Sequence, residues 1–223
     1  MIKAVIFDMY ETLITHYACP LYFSEQMATD ADIPIEEFRS EWRATEHERS
    51  VGKLSTEEVI AAILKRHQCY TNERLNTIMT KRIQTKEACF EHLHPEILPM
   101  FKTLKENNTL IGLISNCFSE EAKVIRESVL FSYFDAAFLS CEEHIEKPEP
   151  DIFHRCMNAL HVKPEECLYI GDGGSHELEA AQSLGMNPLQ AVWYRNDESK
   201  HVIKIKPEFK QLRKPMYVMN YLL

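Results

Sequence analysis

Asp8, Ser115 with Asn116, Lys147 and Asp172 lie far apart in the chain, yet their chemistries fit together. Two carboxylates offer hard oxygen donors to a magnesium ion, which keeps several waters and takes one or two acids. A hydroxyl and the amides beside it can donate to phosphoryl oxygens. A lysine can neutralise charge on a nucleophile and on the group it attacks. Each residue also has an ordinary structural reading: Asp8 a loop residue or helix cap, Ser115-Asn116 a turn, Lys147 a solvated cation, Asp172 the cap of the next helix.

The case for chemistry lies in where they fall. Asp8 ends the continuous apolar run 4–7, and such runs suit strands buried on both faces of a parallel sheet. Ser115-Asn116 ends the run 109–114. Lys147 follows the shorter run 136–139, in a stiff Lys147-Pro148-Glu149-Pro150 segment. Asp172 ends 167–170, inside Gly171-Asp172-Gly173-Gly174. Parallel strands all point one way, so all four groups should converge on the edge where ligands bind in such folds.

The elements between the strands read as helices. Residues 96–106 are helical and end in the turn Asn107-Asn108. Ser119 is expected to cap a helix to about 128, and 151–160 and 176–184 follow, with Gly185 closing the last. Residues 188–193 form a fifth strand, and 216–222 a final edge element. The stretch from 19 to 92 differs: it has almost no glycine and no strand-like run. Apolar residues recur at helical spacing there, as in Val59, Ile60, Ile63 and Leu64, or Leu75, Ile78 and Met79. Ser55-Thr56-Glu57-Glu58 is a capping-box pattern, and Thr71 with Arg74 opens another helix. Three or four helices are expected, as a lobe inserted just after the first strand. The division is therefore a core of 1–15 and 93–223, with a helical cap at 16–92.

Bulk properties narrow the partners. The chain has 223 residues, 45% of them hydrophobic and 26% charged, as in a soluble globular protein. A net charge of −9 and no basic stripe argue against nucleic acid or an acidic membrane surface. The basic segment 200–214 reads as solvated surface. No apolar run nears the roughly 20 residues needed to span a bilayer, and an acid at Asp8 interrupts any signal-peptide pattern. Seven scattered cysteines without a CxxC pair suit reduced thiols, hence a cytoplasmic setting, and ten dispersed histidines, His92 and His94 included, show no metal-site spacing. The expected partner is a small-molecule substrate. The sequence leaves oligomeric state open.

Residues 7–13 (Phe-Asp-Met-Tyr-Glu-Thr-Leu), 114–116 (Ile-Ser-Asn), 146–150 (Glu-Lys-Pro-Glu-Pro) and 170–177 (Ile-Gly-Asp-Gly-Gly-Ser-His-Glu) resemble, in order, the four motifs of the haloacid dehalogenase superfamily. The resemblance implies a Rossmann-like core with helices on both sheet faces, and an inserted helical cap. It implies a hydrolase in which Asp8 is the nucleophile and a magnesium ligand, and covalent catalysis by a carboxylate is chemically ordinary. Ser115 would bind the phosphoryl group, with Asn116 shaping that loop, and Lys147 would hold Asp8 and the substrate anion. Asp172 would bind Mg2+, supported by Glu177, and the Tyr10 backbone carbonyl would add a ligand. Phosphatase action on a small phosphorylated metabolite, through an aspartyl-phosphate, is the expected reaction.

Two residues depart from the phosphatase pattern. Tyr10 stands where a second acid would protonate the leaving group, and a phenol with a pKa of about 10 suits that task poorly near neutrality. Glu11 replaces the usual glycine. Tyr10 also matches the 2-haloacid dehalogenases, whose leaving halide needs no proton. Trp42-Arg43 lies where those enzymes carry a cap arginine, although a solvated helix residue is the plain reading of Arg43. Asp172, in Gly171-Asp172-Gly173-Gly174, favours phosphoryl transfer, since dehalogenases work without metal and lack the Gly-Asp pattern. A degenerate site that binds an anion or partner without turnover is the non-enzymatic alternative.

Overall fold

The computed structural model describes residues 1–196 and 203–222. Its centre is a six-stranded sheet, ordered β3-β2-β1-β4-β5-β6, in which every neighbouring pair is parallel. The strands are β1 (Ala4–Phe7), β2 (Leu110–Ser115), β3 (Ala136–Leu139), β4 (Cys167–Gly171), β5 (Asn187–Ala191) and β6 (Lys210–Leu212). β1 lies between β2 and β4, with Phe7 opposite both Leu113 and Ile170. All four of its residues are buried, as a central parallel strand requires.

Alternation within β1 divides the core in two. Val5 and Phe7 face α6 (Ile97–Glu106) and α7 (Ser119–Glu127), joining Ile111, Leu113, Met100, Phe101 and Ile125. Ala4 and Ile6 face α9 (Pro150–Ala159) and α10 (Glu177–Ser183), joining Phe153, Cys156, Leu178 and Ala181. Period-two side-chain alternation puts one helical layer on each face. The order turns outward from β1 in both directions, so the crevice at its carboxyl end is where a doubly wound sheet binds ligands.

Between β1 and β2 lie α1 (Ser24–Ala31), α2 (Ile35–Ala44), α3 (Glu46–Ser50), α4 (Thr56–Arg66) and α5 (Asn72–Glu91). Met27, Phe38, Ile60, Ile63, Leu64, Leu75 and Ile78 gather there into a core that contains no strand residue. The expected caps are in place. Ser55 Oγ accepts from Glu58 N at 3.1 Å while Glu58 Oε2 accepts from Ser55 N at 2.8 Å, and Thr71 Oγ1 accepts from Arg74 N at 3.0 Å.

Four expectations are corrected. Five α-helices occupy the insertion, because Thr45 and the short linkers break one apparent run into α2 and α3. Phe118, not Ser119, is the N-cap of α7, so that cap has no side-chain acceptor. The edge strand is β6, inside the segment read as solvated, of which residues 200–202 lie outside the described residues. Residues Pro215–Tyr221 are a 3-10 helix packed on α6 through Val218. Alternating Lys-Gln-Leu on one edge is too short to stand out as a strand in sequence. The short helix α8 (Ser140–Glu143) completes the set.

Candidate active site

Asp8 takes up the first position beyond β1, where its amide still donates to Ile170 O at 2.8 Å and so continues the ladder to β4. Lys147 Nζ donates to Asp8 Oδ1 at 2.5 Å, and both side chains are buried. Burial pushes the Asp8 carboxyl up, Lys147 pulls it back, and Glu177 adds repulsion, leaving it at about 6.

Lys147 reaches Asp8 because its backbone is pinned. Asn116 Nδ2 donates to Lys147 O at 2.9 Å, and Lys147 N donates to Asn116 Oδ1 at 2.8 Å. The peptide bond from Lys147 to Pro148 is cis. Ser115, fully buried at the end of β2, sits beside this clasp, its Oγ only 3.5 Å from Asn116 O. At that distance its hydroxyl has no strong internal partner.

Asp172 opens the loop after β4. One of its oxygens accepts from Gly174 N at 3.0 Å, and Gln190 Nε2 fixes its carbonyl at 2.8 Å. Glu177, at the start of α10, folds back into the same loop, where Oε1 accepts from Gly173 N and Oε2 from Ser175 N, both at 2.7 Å. Two glycines permit this. A Cβ at 171 would lie 2.6 Å from Glu177 Oε1, and Gly173 has φ +92.

Oxygens of Asp8, Asp172 and Glu177 all fall within 4.8 Å of one another. Burial, then Asp8, then Glu177 push the Asp172 carboxyl up to about 7. Three acids this close and this buried, with one lysine among them, leave negative charge that a hard divalent cation would offset. The donor set fits magnesium.

The Tyr10 side chain and Arg43 sit elsewhere. The Tyr10 ring stacks on His16, centroids 4.6 Å apart, with Lys86 Nζ 5.2 Å from the ring centre. Burial, then Glu121, push its phenol well above the usual value. Arg43 is exposed on α2, at the rim of a cavity of about 270 Å³ between the helical insertion and the start of α7.

Sequence reasoning missed the charged seam beside that cavity. Arg82 Nε meets Glu120 Oε1 at 2.5 Å, Arg82 Nη2 meets Glu121 Oε1 at 3.1 Å, and Lys86 Nζ meets Glu121 Oε1 at 2.7 Å. Lys86 also reaches His16 Nε2 at 2.6 Å, while His16 Nδ1 faces Glu11 Oε1 at 3.3 Å. The network assigns a neutral His16 with its proton on Nδ1, and burial with Lys86 lowers its pKa accordingly. Glu11 holds φ +56, a conformation natural to glycine, and its carboxylate accepts from Thr15 Oγ1 at 2.6 Å and His16 N at 3.0 Å. A signal existed: the inward stripe of α5 runs Leu75, Ile78, Arg82, Lys86, Cys89, with two cations at core positions.

An open parallel sheet that gathers a carboxylate, a lysine and two further acids at one edge defines a doubly wound α/β protein with its candidate site at the carboxyl end of β1. Comparison narrows this to a family. The chain belongs to the haloacid dehalogenase-like hydrolases, whose family model matches residues 2–185. It is 27% identical over 206 residues to a glyceraldehyde 3-phosphate phosphatase of Methanopyrus kandleri, covering 83% of this chain and 82% of that protein. It is 38% identical over 87 residues to the rhythmically expressed gene 2 protein of Drosophila melanogaster, a match spanning 38% of this chain and 34% of that protein. A 2-haloacid dehalogenase of Pseudomonas syringae pv. Tomato DC3000 shares the fold at TM-score 0.68 and 18% identity, covering 100% of this chain and 98% of that one. Among the described residues no helix is long and apolar enough to cross a membrane.

Proposed function

We propose that this hydrolase is a magnesium-dependent phosphatase acting on a small phosphorylated metabolite. The observation that carries the reading is the packing of Asp8, Asp172 and Glu177 within 4.8 Å, with Lys147 on Asp8. A dehalogenase needs no cation, and so has no need of a half-buried acid at 172 crowded against a buried one at 177. The phosphatase relative of Methanopyrus kandleri, matched over most of both chains, supports the same side.

Asp8 attacks phosphorus with the oxygen that Lys147 does not hold, giving an aspartyl-phosphate and releasing the leaving group. Water then returns phosphate and free Asp8. Lys147 orients Asp8 and stabilises charge on the transferring group, and Ser115, whose hydroxyl lacks a strong internal partner, donates to a phosphoryl oxygen. Asn116 acts through Lys147, since both ends of its amide are committed there. Asp8, Asp172 and the Tyr10 carbonyl would hold Mg2+, with Glu177 bracing the loop; the ion would neutralise the crowded acids and the phosphoryl oxygens. Residues 16–92 act as a cap hinged near 14–17 and 92–95, closing to exclude water from the intermediate.

The test is a phosphatase panel with magnesium. Asp8→Asn abolishes turnover if the reading holds, and undiminished activity overturns it.

Tyr10 favours a second reading, C–halogen hydrolysis, because no acid stands ready to protonate a leaving group there. Halide release from 2-chloropropionate that persists in EDTA would establish it.

A further inference from the structure

The cavity rimmed by Arg43 is linked to the proposed site through two of its lining residues. Phe118, three residues past Ser115, forms one wall, and Lys86, packed over the Tyr10 ring, forms another. Phe23 and Trp42 add further aromatic surface, and Arg82, Glu46 and Glu121 complete its charged lining.

Its electrostatics are unbalanced. Arg82 and Lys86 are neutralised by Glu120 and Glu121. Arg49 is not. It is wholly buried, its guanidinium 3.4 Å from the Trp42 ring centre and 4.1 Å from that of Phe118, the rings that wall the cavity. Nη2 donates to Trp42 O at 2.6 Å and Nε to Thr45 Oγ1 at 3.3 Å, but Nη1 has no partner and no carboxylate pairs with it among the described residues. Burial first, and Arg82 second, lower its pKa to about 10, so it is a full cation at neutral pH. Arg43 likewise makes no ion pair among the described residues.

Counter-charges do not match this set. Arg43, Arg49, Arg82 and Lys86 face Glu46, Glu120 and Glu121; the Glu120 oxygen left without a partner belongs to a carboxylate that Arg82 already neutralises. The helix starts that open on the cavity are already served from within: Phe23 N donates to Gln26 Oε1 at 2.8 Å and Phe118 N to the Glu121 carboxylate at 2.9 Å, so the surplus charge is that of the guanidinium groups alone. Surplus guanidinium charge favours an anion. The aromatic walls favour an apolar stem behind it.

We propose that this cavity is a subsite for a carboxylate on the substrate's leaving group, gripped by Arg43 at the rim and drawn by the uncompensated charge of Arg49 behind the Trp42–Phe118 wall. The inference rests on the phosphatase reading and narrows its substrate class to phosphomonoesters of carboxylic acids. Planar guanidinium–carboxylate recognition is the chemistry that would do this.

The test pairs esters that differ by one carboxylate: phosphoserine against phosphoethanolamine, and 4-carboxyphenyl phosphate against phenyl phosphate. Wild-type protein should prefer the carboxylated member of at least one pair by about tenfold or more in kcat/KM. In Arg43→Ala, an exposed change that leaves the fold intact, that preference should fall towards one; Arg49→Met should act the same way, with circular dichroism to confirm folding. Hydrolysis of both members at equal kcat/KM in both pairs overturns the subsite while leaving the phosphatase reading standing. Calorimetric binding of 4-hydroxybenzoate but not phenol, weakened at least fivefold in Arg43→Ala, would support the subsite even if no ester were turned over. Equal binding of the two, or none, would overturn it.

Discussion

Asn116 and Lys147 clasp each other twice, side-chain amide to backbone amide, at 2.9 and 2.8 Å. The clasp ties the loop after β2 to the segment after β3 and leaves Lys147 Nζ free to reach Asp8. Asn116→Ala removes both bonds and leaves a buried carbonyl and amide unpaired, a cost of about 1–3 kcal/mol. The larger effect should be on rate. A displacement of Lys147 by an ångström would lower kcat by about 100-fold, with much less change in KM. Steady-state kinetics beside urea unfolding would separate the two, and an unchanged kcat would show that the clasp does not position the lysine.

The acids of the site work against the fold that holds them. Asp172 lies within 4.8 Å of Asp8 and Glu177 and, unlike Asp8, has no lysine bonded to it. Asp172→Asn keeps the shape and removes one of the repelling charges. We expect the metal-free variant to be more stable than wild type by about 1 kcal/mol or more, which for a chain of this size raises Tm by roughly 2–4 °C per kcal/mol. The same variant should lose the stabilisation that added Mg2+ gives the wild type. Differential scanning calorimetry with and without Mg2+ checks both, and a metal-free Tm below wild type would contradict the crowding argument.

Glu121 answers pH in the opposite sense. Burial alone would raise its carboxyl, but Lys86 and Arg82 hold it down to about 2, against an ordinary 4.5. Its folded value lies below its unfolded one, so the stability it contributes is fully present above about 4.5 and is lost as pH falls towards 2. Glu121→Gln should flatten that acid limb. At neutral pH it should destabilise by about 3–5 kcal/mol, because Lys86 and Arg82 lose a buried partner. Urea midpoints between pH 3 and pH 7, wild type against variant, give the comparison; parallel curves would rule out this origin for the acid limb.

The sheet was legible because buried parallel strands are short apolar runs, and four of them end in polar residues that the fold brings to one edge. Asp8, Lys147, Asp172 and Glu177 could be placed from that rule and from the motifs around them. β6 and the α5 seam could not. Lys210-Gln211-Leu212 becomes a strand only because β5 offers an unpaired edge, a tertiary cause with no local mark. Arg82 and Lys86 are long cations of a type that ordinarily faces solvent, and what buries them is Glu120 and Glu121, on a helix far along the chain. Glu11 was noted as a departure from glycine, but its positive φ appears only in three dimensions, where Thr15 and His16 hold its carboxylate.

Tyr10 offers a gain of function. Its ring is held between His16 and Lys86, and its phenol stays protonated far above neutral pH, so it cannot serve as an acid–base group there. Esters with good leaving groups should therefore be hydrolysed far better than alkyl phosphates. Tyr10→Asp would place a carboxyl two residues beyond the nucleophile, and general acid catalysis is worth about 100- to 10,000-fold where a leaving group needs a proton. We expect kcat/KM for an alkyl phosphate to rise at least tenfold and that for 4-nitrophenyl phosphate to change little, since nitrophenolate leaves without help. Loss of the His16 stack should cost about 1 kcal/mol of stability, which a melting curve would register. If both esters slowed together, Tyr10 would be acting on Asp8 or its loop, and the missing acid would not be what limits the enzyme.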